Sequence, residues 1–458
     1  ILNGVTVTSA EGPALLVRSA DKVILTLAEG SVNTLSDATA LVETDDTYDA
    51  ALYSCDDLSI NGTGTLNVSG SVKNGVTCKN DLIIADGLLN VTAVNDGLRG
   101  KDSVTVLGGT LNVTCDGDAI VSDDTEEGHG IVTVAGGTMN LTTGGGAGQA
   151  QTVSANDWGR GGFGFGGMTV DTEDSLSSKG LKAAASLYVL GGTVNANTPD
   201  DALHAADVTV AGGDLTLASG DDGIHADNAL TISGGTINIT QSYEGLEGTD
   251  ILISGGDILL VASDDGVNGA GGNDSSGMSG RGGGRDAFSS GTATVTITGG
   301  VLRVNAGGDG LDSNGSLTIS GGETYVDGPT DSGNGALDYD STCTVTGGIL
   351  VATGSSGMAQ GVSDAQGQAA MMIYADGNAN QTVTVLDSTG TVVASWTPTK
   401  AWSSLVVTAP AIVSGSSYTV TVDGNAVYTG TPEDAASSGL GSMGNWGGMG
   451  GGHGGKQR

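Results

Sequence analysis

A short phrase recurs along this chain at a nearly fixed interval. An alternating apolar strand is followed by an acidic residue, a Gly or Ala and an apolar residue, as in Asp222-Gly223-Ile224. The small residues of four consecutive repeats are 21, 22 and 21 residues apart: Ala202, Gly223, Gly245 and Gly266. A fixed period of this length is the signature of a solenoid, in which equivalent residues of successive coils stack into columns.

Each repeat contains two strand patterns and a third apolar segment. Leu230-Thr231-Ile232 and Ile237-Asn238-Ile239 alternate apolar and polar residues, which is the pattern of half-buried strands. The Gly-Gly pair between them suits a turn that other residues resist. The apolar residue after the acid, such as Leu203, gives a third inward side. Three short strands per coil predict an all-β fold, a parallel β-helix of about 22 residues per coil.

The repeat pattern also predicts how the chain is divided. The β-helix is expected over residues 1–364, with loop insertions at 143–176 and 269–291. Residues 365–430 have ordinary strand patterns with Asp-Gly turns, and we expect them to form a small C-terminal β cap domain, because the last coil of a solenoid exposes unpaired backbone edges. Residues 431–458 are rich in Gly and Met and are predicted to be a flexible tail.

Composition narrows the classes of function. The net charge of -37 excludes a nucleic-acid surface, which needs clustered Lys and Arg, and suits divalent cations. The sequence contains no run of about 20 apolar residues, so it predicts no membrane-spanning helix. The four cysteines have no CxxC spacing, which argues against a zinc site. Cys55 and Cys78 are about one repeat apart, and whether they form a disulfide stays open.

Acidic residues are predicted to stack at one corner of the coil. Adjacent coils are about 4.8 Å apart, and stacked like charges repel by roughly 3 kcal/mol per pair at an effective dielectric constant of about 20. A Ca²⁺ ion, with Ca–O distances of about 2.3–2.6 Å, fits between two such carboxylates. The alternative is that each acid bonds a backbone N–H of its own turn. The candidate Ca²⁺ ligands are Asp200, Asp201, Asp221, Asp222, Glu244, Glu247, Asp264, Asp265, Asp309 and Asp312.

Five residues near the same corner are candidates for ligand binding: Arg99, Lys101, Lys182, His204 and His225. Basic side chains beside bound Ca²⁺ suit the carboxylate of an acidic sugar. The two histidines are 21 residues apart and could contact a sugar or a metal ion, or simply be solvated. In a polysaccharide lyase, Lys182 or Arg99 would take the proton α to the sugar carboxylate, whereas a binding protein needs no catalytic residue.

Several strings in the chain resemble a family of bacterial secreted carbohydrate-binding β-helix proteins. They include Asp221-Asp222-Gly223-Ile224-His225-Ala226-Asp227, Ser242-Tyr243-Glu244-Gly245-Leu246-Glu247-Gly248 and Gly333-Asn334-Gly335-Ala336-Leu337-Asp338-Tyr339-Asp340. The resemblance covers about residues 1–425. It implies a right-handed parallel β-helix with bound Ca²⁺ that binds cellulose and acidic plant sugars such as polygalacturonate. The fold is similar to that of pectate-lyase-like enzymes, but the family is described as binding rather than cleaving.

The expected function is therefore Ca²⁺-dependent binding of plant polysaccharides by a secreted or bacterial cell-surface protein. Acidic sugars are expected to bind better than cellulose, because the tyrosines of the repeats do not form the flat aromatic strip that suits cellulose. Two alternatives remain open at this point. One is a pectate-lyase-like enzyme, and the other is a structural surface adhesin or matrix filament subunit. The sequence leaves self-association undecided.

Overall fold

The computed structural model of the chain describes residues 1–37, 48–149, 177–270 and 292–435. Most of the two predicted insertions, at 150–176 and 271–291, and the predicted tail from 436 onward lie outside the described residues. Within the described ranges no helix is long and apolar enough to span a membrane. The only helices there are a 3-10 turn at Ala147–Gln149 and one turn at Pro432–Ala435, where the sequence predicted the start of the tail.

The coils build two long parallel sheets, in which each strand pairs with its equivalents in the coils before and after it. The first sheet has 15 strands. Its parallel strands are Thr6–Thr8, Val32–Ser36, Thr65–Gly70, Leu88–Ala93, Thr110–Cys115, Thr138–Thr143, Thr193–Thr198, Asp214–Ser219, Thr236–Gln241, Asp257–Ala262, Val301–Ala306, Glu323–Asp327 and Ile349–Gly354. Two antiparallel strands, Ser404–Thr408 and Ala370–Ile373, complete it.

The second sheet has 20 strands and folds over into two faces. Strands on the face that follows the acidic corner are Leu15–Val17, Ala50–Ser54, Asn74–Cys78, Leu98–Gly100, Ile120–Ser122, Val267–Gly269 and Leu311–Ser313. Strands on the other face are Val23–Thr26, Leu58–Asn61, Asp81–Ile84, Ser103–Val106, Ile131–Val134, Thr294–Ile297, Ser316–Ile319, Thr342–Val345 and Asp364–Ala365. Four long strands run through both faces: Leu181–Val189, Leu203–Val210, Ile224–Ile232 and Leu246–Ile253.

Each long strand bends where its register shifts, for example between Ala205 and Asp207. A register irregularity of this kind bends a strand locally. Together with the first sheet, the two faces give three strand segments per coil, as the sequence pattern predicts. The long parallel sheets are consistent with a β-helix or solenoid, and the right-handed winding stays a prediction.

The core runs along the axis of the coils and is filled by the inward side of each strand. Leu98, Val104 and Leu111, one from each face of a single coil, are fully buried. Because Leu, Ile and Val dominate this column of side chains, the core is narrow and needs few aromatic residues. Each coil buries its apolar side only when neighbouring coils stack on it.

The Gly-Gly turns bring successive backbones into close contact. Gly235 has φ of +94°, and a Cβ placed on Gly234 would lie 2.6 Å from the carbonyl oxygen of Ala211 in the preceding coil. A side chain at Gly235 is disfavoured by the positive φ, and one at Gly234 by the neighbouring backbone. The repeated glycines are therefore a requirement of coil stacking.

Asparagines form a hydrogen-bonded ladder on the first sheet. The Nδ2 of Asn90, Asn112, Asn140 and Asn195 each donates to the Oδ1 of the asparagine in the preceding coil, the first of them to Asn67, at 2.8–2.9 Å. Asn238 belongs to the same register column but is separated from the ladder by a threonine. The polar column therefore joins coils to one another.

The C-terminal segment continues the first sheet in the opposite sense. Strand Ser404–Thr408 pairs antiparallel with the last parallel strand, Ile349–Gly354, so that edge is covered. A separate four-stranded antiparallel sheet comprises Val383–Leu386, Val392–Trp396, Tyr418–Val422 and Asn425–Gly430. It shares an apolar cluster with Val351 of that last strand.

All four cysteines lie in the described ranges and are free thiols. The register pairs Ser54, and not Cys55, with Cys78. Because neighbouring residues of a strand point to opposite faces, the two sulfurs are not placed for a bridge. Burial raises the pKa of Cys78 to about 11, so this thiol stays protonated at neutral pH.

Candidate metal and ligand site

The strand register stacks one residue from each coil next to the acidic corner. We call this set the flanking column. In order of stacking it contains Tyr53, Thr77, Arg99, Val121, Lys182, His204, His225, Glu247, Asn268 and Asp312. The column thus changes from basic residues through imidazoles to carboxylates along the axis.

A second set, the corner column, lies three residues earlier in each coil. Its members are Asn74, Asp96, Asp118, Lys179, Asp201, Asp222, Glu244, Asp265 and Asp309. The Oδ1 of most members accepts the backbone N–H of the next coil's member, as in Asp222 N–H to Asp201 Oδ1 at 3.0 Å. One oxygen of each such carboxylate therefore holds adjacent coils together, and the other oxygen remains for a further partner.

Lys179 interrupts the acids of the corner column with a cation of the protein's own. Its Nζ lies 2.7 Å from Asp200 Oδ1 and 2.6 Å from Asp201 Oδ2, and its side chain is buried. Burial raises the pKa of Asp201, but the Lys179 charge together with the His204 hydrogen bond and the charges of both histidines outweighs burial and lowers the pKa below the ordinary value. Asp200 Oδ1 also accepts the N–H of Asp201, the bond that a carboxylate at position 179 would make.

The histidines lie beside the next carboxylates of the corner column. Nδ1 of His204 is 2.9 Å from Asp201 Oδ2, and Nδ1 of His225 is 3.0 Å from Asp222 Oδ2 and 2.8 Å from Glu247 Oε2. Burial lowers the pKa of His225, but its hydrogen bonds to carboxylates outweigh burial and raise the pKa well above the ordinary value. The histidines are thus part of a charge-balanced cluster.

Within that cluster, the carboxyls of Asp222 and Glu247 interact directly. Burial raises the pKa of Asp222 well above its ordinary value. Burial also raises the pKa of Glu247, but hydrogen bonds with His225 and Asp222 outweigh it and lower the pKa. Asp222 and Glu247 thus form one buried, hydrogen-bonded pair beside His225.

Within the described part of the chain, the carboxylates farther along the axis lack such a positive partner. Burial and then the charges of Asp309 and Asp312 raise the pKa of Asp265 to about 8. Burial and the neighbouring acids also raise the pKa of Asp312 to about 8 and of Asp309 to about 6. Among the described residues none of these three forms an ion pair with Lys, Arg or His. We call Asp264, Asp265, Asp309, Asp312 and Asp338 the acid-only cluster.

Gly308 lies against this cluster and leaves room for it. A Cβ at Gly308 would lie 2.3 Å from Asp264 Oδ1 and 2.4 Å from Asp265 Oδ1, far inside contact distance. The donors of the cluster are all oxygens, the donor type that Ca²⁺ prefers. The residues therefore fit a hard divalent cation here better than beside Lys179 and the histidines, where the protein supplies positive charge itself.

Arg99 and Lys101 line a small pocket at the other end of the flanking column. The pocket has a volume of about 50 Å³ and also contains Tyr53, Lys79 and Asp49, whose carboxylate pairs with Lys73. Arg99 pairs with Asp123 at 2.6 Å, and Lys101 pairs with Asp124 at 2.9 Å. Lys79 is exposed and forms no ion pair within the described part of the chain. The pocket can therefore receive one further anionic group.

The structure separates the predicted site residues into three groups. Arg99 and Lys101 share the basic pocket, whereas Lys182 lies farther along the column, 3.3 Å from Asp118. Around the histidines lie Asp200, Asp201, Asp221, Asp222, Glu244 and Glu247. Sequence reasoning did not assign Lys79, Asp227 or Gly308. Lys79 directly follows the pocket strand and Asp227 lies within a quoted string, but neither position repeats in every coil, so the periodicity gave no signal for them.

Fold and site together define a protein of parallel β-solenoid architecture with an acidic corner and a basic pocket. Residues 1–223 match the family model described as "Carbohydrate-binding domain-containing protein". A protein of the same description from Acetivibrio thermocellus is 38% identical over 97 residues, which is 20% of this chain and 34% of that protein. The match therefore spans about a third of the length of this relative.

Among solved structures, the chain is similar to "Structure of the polysaccharide lyase-like protein from C. thermocellum, Gadolinium derivative". The TM-score is 0.35 and the sequence identity is 26%, over 50% of this chain and 73% of that one.

Proposed function

We propose that this chain is a carbohydrate-binding protein that recognises acidic polysaccharides with the help of bound Ca²⁺. The observation that supports this most strongly is the acid-only cluster, whose buried carboxyls Asp265 and Asp312 have pKa values of about 8. Their ionisation at neutral pH requires a cation, and oxygen donors favour Ca²⁺. The match of residues 1–223 to a carbohydrate-binding family model supports the ligand class.

The basic pocket adds a reason to expect acidic sugars. A uronate carboxylate can accept charge-assisted hydrogen bonds from Lys79 and Arg99, and Tyr53 gives the pocket one aromatic wall. Bound Ca²⁺ would bring a second uronate of the same chain to the acid-only cluster. A repeating polymer such as polygalacturonate suits sites spaced along one solenoid, and cellulose, which has no carboxylate, is the weaker ligand.

The proposed setting is outside the cell, as a secreted or bacterial cell-surface protein. Extracellular modules bind Ca²⁺ with dissociation constants on the order of 10⁻⁴–10⁻³ M. A net charge of -37 keeps such a protein soluble and favours the accumulation of divalent cations around it.

Retention on insoluble polygalacturonate and on cellulose, with CaCl₂ or with EGTA, tests the proposal. We expect Ca²⁺-dependent retention on polygalacturonate and weaker retention on cellulose. Asp312→Asn should reduce retention, whereas Asp376→Asn, at an exposed acid of the C-terminal segment, should not. Arg99→Gln should weaken retention on polygalacturonate and leave cellulose unchanged. Retention that EGTA does not affect would contradict the role of Ca²⁺.

Further measurements on the same protein distinguish the lyase and the structural alternatives. Burial lowers the pKa of Arg99, but the charge and hydrogen bond of Asp123 together with the charges of Asp96 and Asp49 outweigh burial and raise the pKa, so Arg99 cannot accept a proton. Lys182 is then the base to test, and a rise in ultraviolet absorbance from unsaturated product that Lys182→Met abolishes would show a lyase. No retention on any glycan, together with strong stabilisation by Ca²⁺, would show a structural adhesin or filament subunit.

A further inference from the structure

Two imidazole rings from adjacent coils stack on each other at the centre of the flanking column. The ring centroids of His204 and His225 are 4.7 Å apart, and the ring planes are tilted by 33°. Each ring has its Nδ1 within 3.0 Å of a corner carboxylate, Asp201 for one and Asp222 for the other. Equivalent contacts thus hold the two rings in similar orientations.

These contacts determine which nitrogen is available. A histidine that donates Nδ1–H to a carboxylate binds a metal ion through Nε2, and the ion displaces any proton on that nitrogen. Nε2 of His225 is buried and makes no hydrogen bond to any described residue. The Nε2 atoms of both rings face the same oxygen, Oδ1 of Asp227, at 3.8 Å from His204 and 3.5 Å from His225.

The spacing of these atoms suits an ion between them. Nitrogen and oxygen ligands bonded to Zn²⁺ at about 2.0–2.2 Å in a tetrahedral site lie roughly 3.3–3.6 Å from one another. The 3.5 Å separation from His225 lies in that range, the 3.8 Å separation from His204 lies just above it, and both exceed ordinary hydrogen-bond distances. Asp227 is 43% exposed, so it can close the remaining gap, and its solvent side leaves a coordination position open.

We propose that His204 Nε2, His225 Nε2 and Asp227 Oδ1 form a binding site for a divalent transition-metal ion, distinct from the oxygen-only Ca²⁺ site. Imidazole nitrogen selects ions such as Zn²⁺, Ni²⁺ or Cu²⁺ over Ca²⁺. Asp201 and Asp222 orient the two rings from behind and do not contact the ion. The cysteines have no part in this site.

Zn²⁺ titration of the full chain, followed by calorimetry with CaCl₂ in excess, tests the proposal. The protein should contain His129→Asn, because Asp102, Asp124 and His129 lie elsewhere in the fold and have ligand atoms close enough together to hold a metal ion. We expect one Zn²⁺ site that Ca²⁺ does not occupy. Asp227→Asn should weaken it by roughly tenfold or more, and Asp207→Asn, at an exposed acid on the preceding coil, should leave it unchanged.

A second variant leaves the buried His225 unchanged, so that loss of Zn²⁺ binding is not confused with loss of folding. His204 is 13% exposed, and His204→Asn should lose Zn²⁺ binding while it keeps the wild-type circular dichroism spectrum. Co²⁺ bound to the parent protein should show visible bands typical of nitrogen ligands, and the variant should not. Absence of a Zn²⁺ site, or equal affinity in Asp227→Asn and Asp207→Asn, would overturn the proposal. Polygalacturonate retention is measured separately, so its failure would leave this inference standing.

Discussion

The ammonium of Lys179 lies 2.6 Å from the Oδ2 of Asp201 in the next coil, and both side chains are buried. The protein thus places its own cation in a column of acids, at the position where a carboxylate stands in neighbouring coils. The carboxylates next to Lys179 are therefore neutralised by the protein itself, unlike those of the acid-only cluster.

Removal of this cation should destabilise the fold strongly. Lys179→Met removes the ammonium that Asp200 and the buried Asp201 share, and breaking a buried ion pair in this way costs about 3–5 kcal/mol. Lys73→Met is the matched control, because Lys73 is 47% exposed and pairs with Asp49. An exposed pair contributes about 0–1 kcal/mol. Urea unfolding followed by circular dichroism measures both, and similar losses in the two variants would contradict the role of Lys179.

Without Ca²⁺ the stability of the fold should fall as the pH rises, and bound Ca²⁺ should remove this loss. The ordinary pKa of Asp is 3.8, and folding raises that of Asp265 and Asp312 to about 8. The folded state then holds protons that the unfolded state has lost, so stability falls as the pH rises from about 4 to about 8.

Thermal unfolding in EGTA should therefore give a higher midpoint at about pH 5 than at about pH 8. Saturating CaCl₂ should restore the midpoint at the higher pH, because the ion neutralises the ionised carboxylates. A midpoint in EGTA that rises across this interval would show that the acid-only cluster is not under electrostatic strain.

Gly308 should be required for ion binding more than for folding. Gly308→Ala places a Cβ against Asp264 and Asp265 oxygens, and we expect Ca²⁺ affinity to fall roughly tenfold, as for other changes that displace ligands indirectly. Gly148→Ala is the control, because a Cβ there meets no atom within 4 Å. Calorimetric Ca²⁺ titration measures both variants, and unchanged affinity in Gly308→Ala would locate the ion elsewhere.

The asparagine ladder should stabilise the stack of coils. Asn112→Ala removes one hydrogen bond to Asn90 and one from Asn140, at a cost of about 1–2 kcal/mol for the two. Asn238→Ala, in the same column but outside the ladder, should cost less than about 0.5 kcal/mol. Equal effects on the urea midpoint would mean that the ladder adds no stability beyond that of a single polar surface residue.

The repeat period was sufficient to predict the columns but not the partners within them. Alternation and spacing placed Arg99, His204 and Asp312 in one column because both depend only on backbone geometry. The same spacing places Lys179 in the corner column, but its contact with two carboxylates depends on side-chain torsions and burial. The approach of Asp227 to two histidines depends on the bend of a long strand, and no periodicity encodes it.

The backbone hydrogen bonds of the acidic residues cross to the next coil, whereas the sequence-based alternative placed them within one turn. From the sequence, binding of an ion and hydrogen bonding to a backbone N–H are alternative predictions for each acid. In Asp222, one oxygen bonds the N–H of Glu244 in the next coil and the other meets His225. A carboxylate has two oxygens, and the stacked geometry uses them for different purposes, which a linear alignment cannot show.

Asp265 and Asp309 are 44 residues apart in the chain, yet the N–H of one bonds the side chain of the other across a single coil step. The strand register between adjacent coils is therefore kept, although the chain between them is longer than usual by about one repeat. The segment between these two coils can therefore change in length and sequence without a change in how the coils stack. A foreign epitope or reporter could be inserted at the same junction.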